Sequence, residues 1–131
     1  MAITDASGFP IALDISSANP HKVTLVESTL ATKHVPASPS RLIGDRAYDS
    51  NKLDEALALQ GIDMIAPHKR NCVNKTQDGR KLRRYKRRWK VERFFAWLYT
   101  FRHLVVRYEL KPQNFLAFVQ LACIFILLRQ F

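Results

Sequence analysis

Short apolar runs at Ala2 to Thr4 and Phe9 to Ile15 flank Asp5-Ala-Ser-Gly8, whose Asp and Gly suit a tight turn, so the pattern opens with a predicted antiparallel hairpin. Asn19-Pro20 reads as an N-cap with proline at the first helical position. Val23, Val26 and Leu30 follow at helical spacing and predict a helix to about Ala31. Prolines and serines over Val35 to Ser40 mark a loop. Arg41 to Gly44 predicts a short strand, Ser50 caps a helix carrying Leu53, Leu57 and Gln60, Gly61 stops it, and Ile62 to Ala66 predicts a further strand. Strand, strand, helix, strand, helix, strand is the order of an α/β layer structure.

Pro67 to Gly79 is polar, basic and aperiodic, which predicts a mobile loop. From Arg80 to about Arg102 the pattern predicts one helix with Val91, Phe94, Leu98 and Phe101 on its apolar face. A last helix starts at Pro112 or Gln113 and is apolar on nearly every side, which predicts packing almost all round. Its run Phe115 to Leu128, interrupted by Gln120, falls short of the roughly 20 residues a membrane span needs, so no membrane segment is expected.

The 131 residues amount to one domain, and 21 Lys plus Arg against 11 Asp plus Glu give a net charge of +10. A hydrophobic fraction of 47% excludes a disordered basic tail and leaves a folded domain with a polyanionic partner, nucleic acid before an anionic membrane surface. Cys72 and Cys123 fit neither a zinc nor a disulfide spacing, and no export signal stands at the N-terminus, which together point to the cytoplasm. His21, His34, His68 and His103 are scattered without ligand spacing.

Charge changes the picture most between Arg80 and Arg107, where Glu92 is the only acid among many Lys and Arg. On a helical wheel of about 100° per residue, Tyr85, Arg88, Glu92 and Tyr99 fall within roughly 60° of one another, apart from the apolar stripe. Lys86, Lys90, Arg93 and Trp97 form a third side expected to be free for phosphate backbone. Glu92 reads either as an i,i+4 partner of Arg88, worth a few tenths of a kcal/mol, or as a reactive carboxylate. Asp45, in Leu42-Ile-Gly-Asp-Arg-Ala-Tyr-Asp-Ser50, ends a short apolar strand, where open α/β sheets place functional groups; Asp49 is the better fit to a local capping role. Two carboxylates from a strand end and a facing helix can hold a divalent metal that serves phosphodiester chemistry, with surrounding Lys and Arg holding the polyanion. Trp89 and Trp97 either stack on an unpaired base or pack beside the apolar face, and Lys69, Arg70, Lys75, Arg80 and Lys81 form a basic loop.

At these residues the chain resembles bacterial insertion-sequence transposases of the IS-four and IS-five groups. Tyr85, Arg88 and Glu92 match the Y-R-E signature of that family, within Arg87-Arg-Trp-Lys-Val-Glu-Arg-Phe-Phe-Ala-Trp-Leu98, and Gly44-Asp-Arg-Ala-Tyr-Asp-Ser50 is similar to its motif around the second catalytic aspartate. The resemblance implies a DDE domain of ribonuclease H-like fold, a mixed sheet with flanking helices. It implies Asp45 and Glu92 as second and third acids, both catalytic and both ligands of Mg or Mn, and DNA contacts by Tyr85, Lys86, Arg87, Arg88, Lys90 and Arg93. Where the family places a Lys seven residues after the Glu, this chain has Tyr99.

The family's first catalytic aspartate lies on a central strand upstream of the hairpin, and Asp5 falls instead at the hairpin turn. The resemblance therefore implies the C-terminal part of a transposase catalytic domain with its first central strand absent, inactive or impaired alone. Its partners would be transposon ends and target DNA, an upstream transposase fragment, and further copies when complete. The competing expectation is a non-enzymatic basic nucleic-acid-binding fragment, which predicts salt-dependent binding without a metal requirement.

Overall fold

Strands β1 (Ala2–Thr4) and β2 (Pro10–Leu13) pair antiparallel in the computed structural model, which describes residues 1–70 and 79–130. The turn between them forms because Asp5 Oδ1 accepts from Ser7 N and Phe9 N, 2.8 Å each, fixing the local backbone as an Asx turn does. Pairing puts Ala2 opposite Leu13 and Ile3 opposite Ala12. Successive side chains point to opposite faces of a strand, so the hairpin has an apolar residue pair for each side.

Ile3 and Ala12 face helix α1 (Leu25–Ala31) and join Val26 and Leu30 in one core. The same core takes in Leu53 and Leu57 from α2 (Asn51–Leu59) and Ile62, Met64 and Ala66 in and around β4 (Asp63–Ile65). Leu13 belongs to a second core with Phe94 and Leu98 of α4 (Trp89–Leu98) and Val119, Ala122, Cys123 and Ile126 of α6 (Pro112–Leu128). The hairpin thus lies between two helical layers, a mixed α/β arrangement. Thr32 Oγ1 donates to Leu13 O at 2.8 Å, tying the end of α1 to β2.

Strand β3 (Arg41–Ile43) runs parallel to β4, with Leu42 opposite Met64, and these two form a separate two-stranded sheet. The helix between them ends as its sequence dictates. Gly61, at φ +73°, follows α2 and allows Gly61 N to reach Ala58 O and Ile62 N to reach Leu57 O, both at 2.9 Å, which satisfies the last carbonyls.

Three expectations are corrected. The first helix starts later than Asn19-Pro20: His21 is the N-cap of a 3-10 turn, Lys22–Thr24, that leads into α1. The helix expected over Arg80 to Arg102 is four pieces: α3 (Gly79–Leu82), a 3-10 stretch Arg83–Arg88, α4, and α5 (Arg102–Val105). Both windings align like charges, Arg83 with Arg87 at i,i+4 in an α-helix and Arg83 with Lys86 and Arg84 with Arg87 at i,i+3 in the 3-10 stretch, so charge does not account for the change of helix type.

The third correction concerns α6. It buries one face only, and Leu121, Ile124, Phe125 and Leu128 are each more than half exposed. Most of the loop expected over Pro67 to Gly79, with Cys72 and Lys75, lies outside the described residues. Among the described residues no helix is long and apolar enough to cross a membrane.

Candidate active site

Gly44 N extends the parallel ladder by one bond, to Ile65 O at 3.0 Å, and the chain then leaves the sheet at Asp45. A Cβ at Gly44 would stand 2.6 Å from Met64 Cε and 2.7 Å from Tyr48 Cδ2, so only glycine lets the Tyr48 ring close over the strand end beside Asp45. Asp45 caps the 3-10 turn Arg46–Tyr48, its Oδ1 accepting from Ala47 N at 2.8 Å, and its Oδ2 is 3.9 Å from Lys22 Nζ. The Tyr48 hydroxyl is held above the ordinary phenol range, by burial first and the Asp45 charge second, and so stays protonated at neutral pH.

The capping role expected of Asp49 therefore falls to Asp45, because the chain turns immediately after β3. Asp49 does something longer in range. Its side chain, only 7% exposed, accepts from Lys69 N at 2.6 Å and meets His68 Nδ1 at 2.9 Å. Burial raises the pKa of this carboxyl, but the Lys69 N–H and His68 together outweigh burial and hold it below the usual aspartate value. This bond network fastens the Pro67 to Lys69 segment beside Asp45.

The 3-10 stretch Arg83–Arg88 packs against β3. Residues three apart eclipse in such a helix, which puts Arg88 over Tyr85: Arg88 Nη1 donates to Tyr85 Oη at 3.0 Å and the guanidinium lies 5.2 Å from the ring centre. The other end of the guanidinium pairs with Glu92, Nη2 to Oε1 3.0 Å. Arg88 and Tyr85 also line an open depression of about 480 Å³ together with Asp45, Arg46, Ala47, Pro67 and Leu82. Asp45 and Glu92 are thus connected through one arginine, which shares the depression with the first and is bonded to the second.

Tyr99 does not continue this strip, since α4 ends at Leu98 and Tyr99 is its exposed C-cap. Nor is the third side of the helix free as expected. Lys90 Nζ donates to Ala6 O and Arg93 Nη2 to Ser7 O, both in the hairpin turn. Arg93 also stacks on two indoles, 4.9 Å from the Trp89 ring centre and 4.8 Å from that of Trp97, while Trp97 stacks on Phe9 at 6.0 Å. Lys90 and Arg93 are therefore committed to docking the hairpin. No local pattern could have revealed this, because the acceptors lie more than 80 residues away. Arg83, Arg84, Lys86 and Arg87 are exposed.

Among the described residues no three His, Cys, Asp or Glu side chains converge as a metal cluster. Among those residues Asp45 Oδ2 and Glu92 Oε2 accept no hydrogen bond, and carboxylate oxygens of this kind are the donor type that suits Mg or Mn, which keep several waters.

The profile of the "Transposase DDE domain" family matches residues 1–127. The chain belongs to the transposase DDE domain family. A relative named as a putative transposase for insertion sequence element IS402, from Burkholderia cepacia, is 34% identical over an alignment of 129 residues that covers 92% of this chain and 58% of that relative. Another, named for insertion sequence element IS6501 of Brucella ovis, is 30% identical over 132 residues, 98% of this chain and 95% of its own length. The chain thus spans little more than half of the first relative and nearly all of the second. No solved structure matches this DDE-domain chain.

Proposed function

We propose that Asp45 and Glu92 are two of the three acids of a DDE transposase site and that the chain acts in DNA transposition, in metal-dependent hydrolysis and strand transfer at the ends of an insertion sequence of the IS-four or IS-five kind. The observation that carries this reading is Arg88, which lines the Asp45 depression while bonding both Tyr85 and Glu92. A simple solvated i,i+4 pair would not also bond a tyrosine and line the depression that holds the strand-end aspartate.

Asp45 and Glu92 would hold the Mg or Mn, and the bound ion would supply charge stabilisation at the scissile phosphate and orient the attacking oxygen. Arg88 binds a phosphate oxygen of the DNA end, for which its planar fork is suited, and Tyr85 orients the guanidinium. Lys86 and Arg87, exposed on the same 3-10 stretch, neutralise neighbouring phosphates. The Tyr48 hydroxyl, kept protonated, donates near Asp45. The first acid of the triad would belong to a further strand joining β1 and β3 into one ribonuclease H-like mixed sheet. The chain by itself is then impaired in cleavage.

Calorimetric titration of Mn2+ into the chain bound to duplex DNA tests the assignment. The expected result is saturable binding that both Asp45→Asn and Glu92→Gln weaken at least tenfold with the fold unchanged. Equal Mn2+ affinity in all three proteins sinks the site. DNA binding with a steep salt dependence and no metal effect at all would select the non-enzymatic binding module instead.

A further inference from the structure

Two 3-10 turns remote in sequence, Lys22–Thr24 and Arg46–Tyr48, pack against each other beside the end of β3. Each is fixed locally. Thr24 Oγ1 donates to His21 O at 2.7 Å in the first, and Asp45 Oδ1 accepts from Ala47 N at 2.8 Å in the second. The packing brings Lys22 Nζ to 3.9 Å from Asp45 Oδ2. That is beyond hydrogen-bond reach, so charge alone holds the ammonium, and its three donors are uncommitted among the described residues. Arg46 lines the depression with Asp45 and Arg88. It has no ion-pair partner among the described residues, because the nearby Asp49 is occupied by Lys69 and His68.

We propose that Lys22 and Arg46 form a second phosphate seat beside Asp45, in which Lys22 exchanges the Asp45 carboxylate for a backbone phosphate of a DNA strand. The inference rests on the reading of Arg88 as the ligand of one phosphate and adds the residues that take a neighbouring one. Charge argues for it. Lys22, Arg46 and Arg88 carry three positive charges against the two negative ones of Asp45 and Glu92, and a surplus cation at an open depression attracts a polyanion. Ala47, Pro67 and Leu82 line the same depression, and apolar surface beside the cations suits the sugars of a strand better than a small hydrated anion. The two side chains suit different tasks. The planar fork of Arg46 grips two phosphate oxygens, whereas Lys22 is a point charge on a flexible stem that moves from one anion to another. Its side chain is 64% exposed, and an exposed pair of this kind is weak, so leaving Asp45 costs little. The strand that takes Lys22 also clears Asp45 Oδ2, the oxygen assigned above to Mg or Mn, and such a coupling is reciprocal.

Anisotropy titrations of a labelled duplex with a single-stranded 3′ overhang, in EDTA over a series of salt concentrations, test the seat without metal. Lys22→Gln and Arg46→Gln are each expected to weaken binding about three- to tenfold and to lower the slope of log affinity against log salt by about one, as the loss of one phosphate contact does. Lys22→Arg keeps the charge and is expected to keep the slope, and Arg129→Gln, exposed after α6, is expected to change neither quantity. The exchange has a signature of its own. Asp45→Asn is expected to tighten DNA binding about two- to fivefold by releasing Lys22, and most of that gain should vanish when Lys22→Gln is already present. Far-UV circular dichroism verifies each fold, and Lys22→Met and Arg46→Met replace any variant that unfolds. Wild-type affinity and slope in both single variants overturn the proposal, as does a wild-type chain that leaves the duplex unbound. Arg88→Gln separates the two readings: if it alone weakens binding, only the second seat fails, and if it too is silent, Arg88 loses its phosphate role as well. A gain from Asp45→Asn that persists in full without Lys22 overturns the exchange.

Discussion

Replacing Asp49 by alanine removes a carboxylate that joins the start of α2 to the segment after β4. Its two oxygens accept from Lys69 N at 2.6 Å and meet His68 Nδ1 at 2.9 Å, and the side chain itself is 7% exposed near the surface of the chain. Alanine removes the Asp49 acceptor from the Lys69 N–H and from the His68 ring. A hydrogen bond to a charged group contributes about 1.5–3 kcal/mol, less where water can replace it as at Lys69 N, so Asp49→Ala is expected to lose about 2–4 kcal/mol, and Asp49→Asn, which keeps one acceptor oxygen, about half of that. For a chain of this size each kcal/mol shifts Tm by about 3–5 °C.

Urea melts at a series of pH values provide the assay. Because the folded-state pKa of Asp49 is lowered from 3.8, its stabilising contribution is complete above the unfolded value and fades as pH falls through the folded one. The gap between wild type and Asp49→Ala should therefore be constant from neutral pH to about pH 5 and narrow below about pH 4. Asp54 works in the opposite direction. Burial raises its pKa first, nearby Asp49 second, so its protonation in acid relieves a strain on the folded state, and part of that strain disappears with Asp49 itself. A loss under about 0.5 kcal/mol at pH 7, the range of ordinary surface substitutions, would refute the buried-anchor reasoning. So would a gap that stays constant through pH 3.

Two further outcomes follow from the packing around the hairpin and α6. Arg93→Ala removes the cation between Trp89 and Trp97 and the bond to Ser7 O, and is expected to destabilise by about 1–3 kcal/mol with a shift in tryptophan emission; Arg93→Lys should recover less than half, since a point charge cannot stack on both rings. Unchanged urea melts in Arg93→Ala would show that the hairpin does not depend on this clamp. Burial lifts the Cys123 thiol to about 11, so in a Cys72→Ser background it should react with a maleimide at pH 7 roughly a hundredfold more slowly than the same thiol in urea, and parity of the two rates would contradict its burial.

Much of the element order was legible because it rests on local signals. Asp5 and Gly8 made the turn, Gly61 stopped α2, and the apolar spacing of Phe94 and Leu98 put both residues in the core. The segment from Arg80 to Arg88 was misread because the spacing of apolar positions marks a face but does not fix the helix type, which here tightens to 3-10 where Arg88 lies over Tyr85. The uniform apolarity of α6 hid a division into a buried and an exposed side, since composition gives no direction.

The chemistry divides along the same line. The spacing of Tyr85, Arg88 and Glu92 and the position of Asp45 after an apolar strand marked out the candidate residues, because one turn of helix and one strand end are short-range geometry, and it was the resemblance of those segments to known motifs that pointed to the family. Only the tertiary structure could distribute the charges: Lys90 and Arg93 to the hairpin turn, Asp49 to Lys69 and His68, Arg88 to the depression beside Asp45. Each of these partners except Arg88's tyrosine and glutamate is remote in sequence, and a charged side chain takes whichever acceptor or counter-ion the fold brings within about 3 Å.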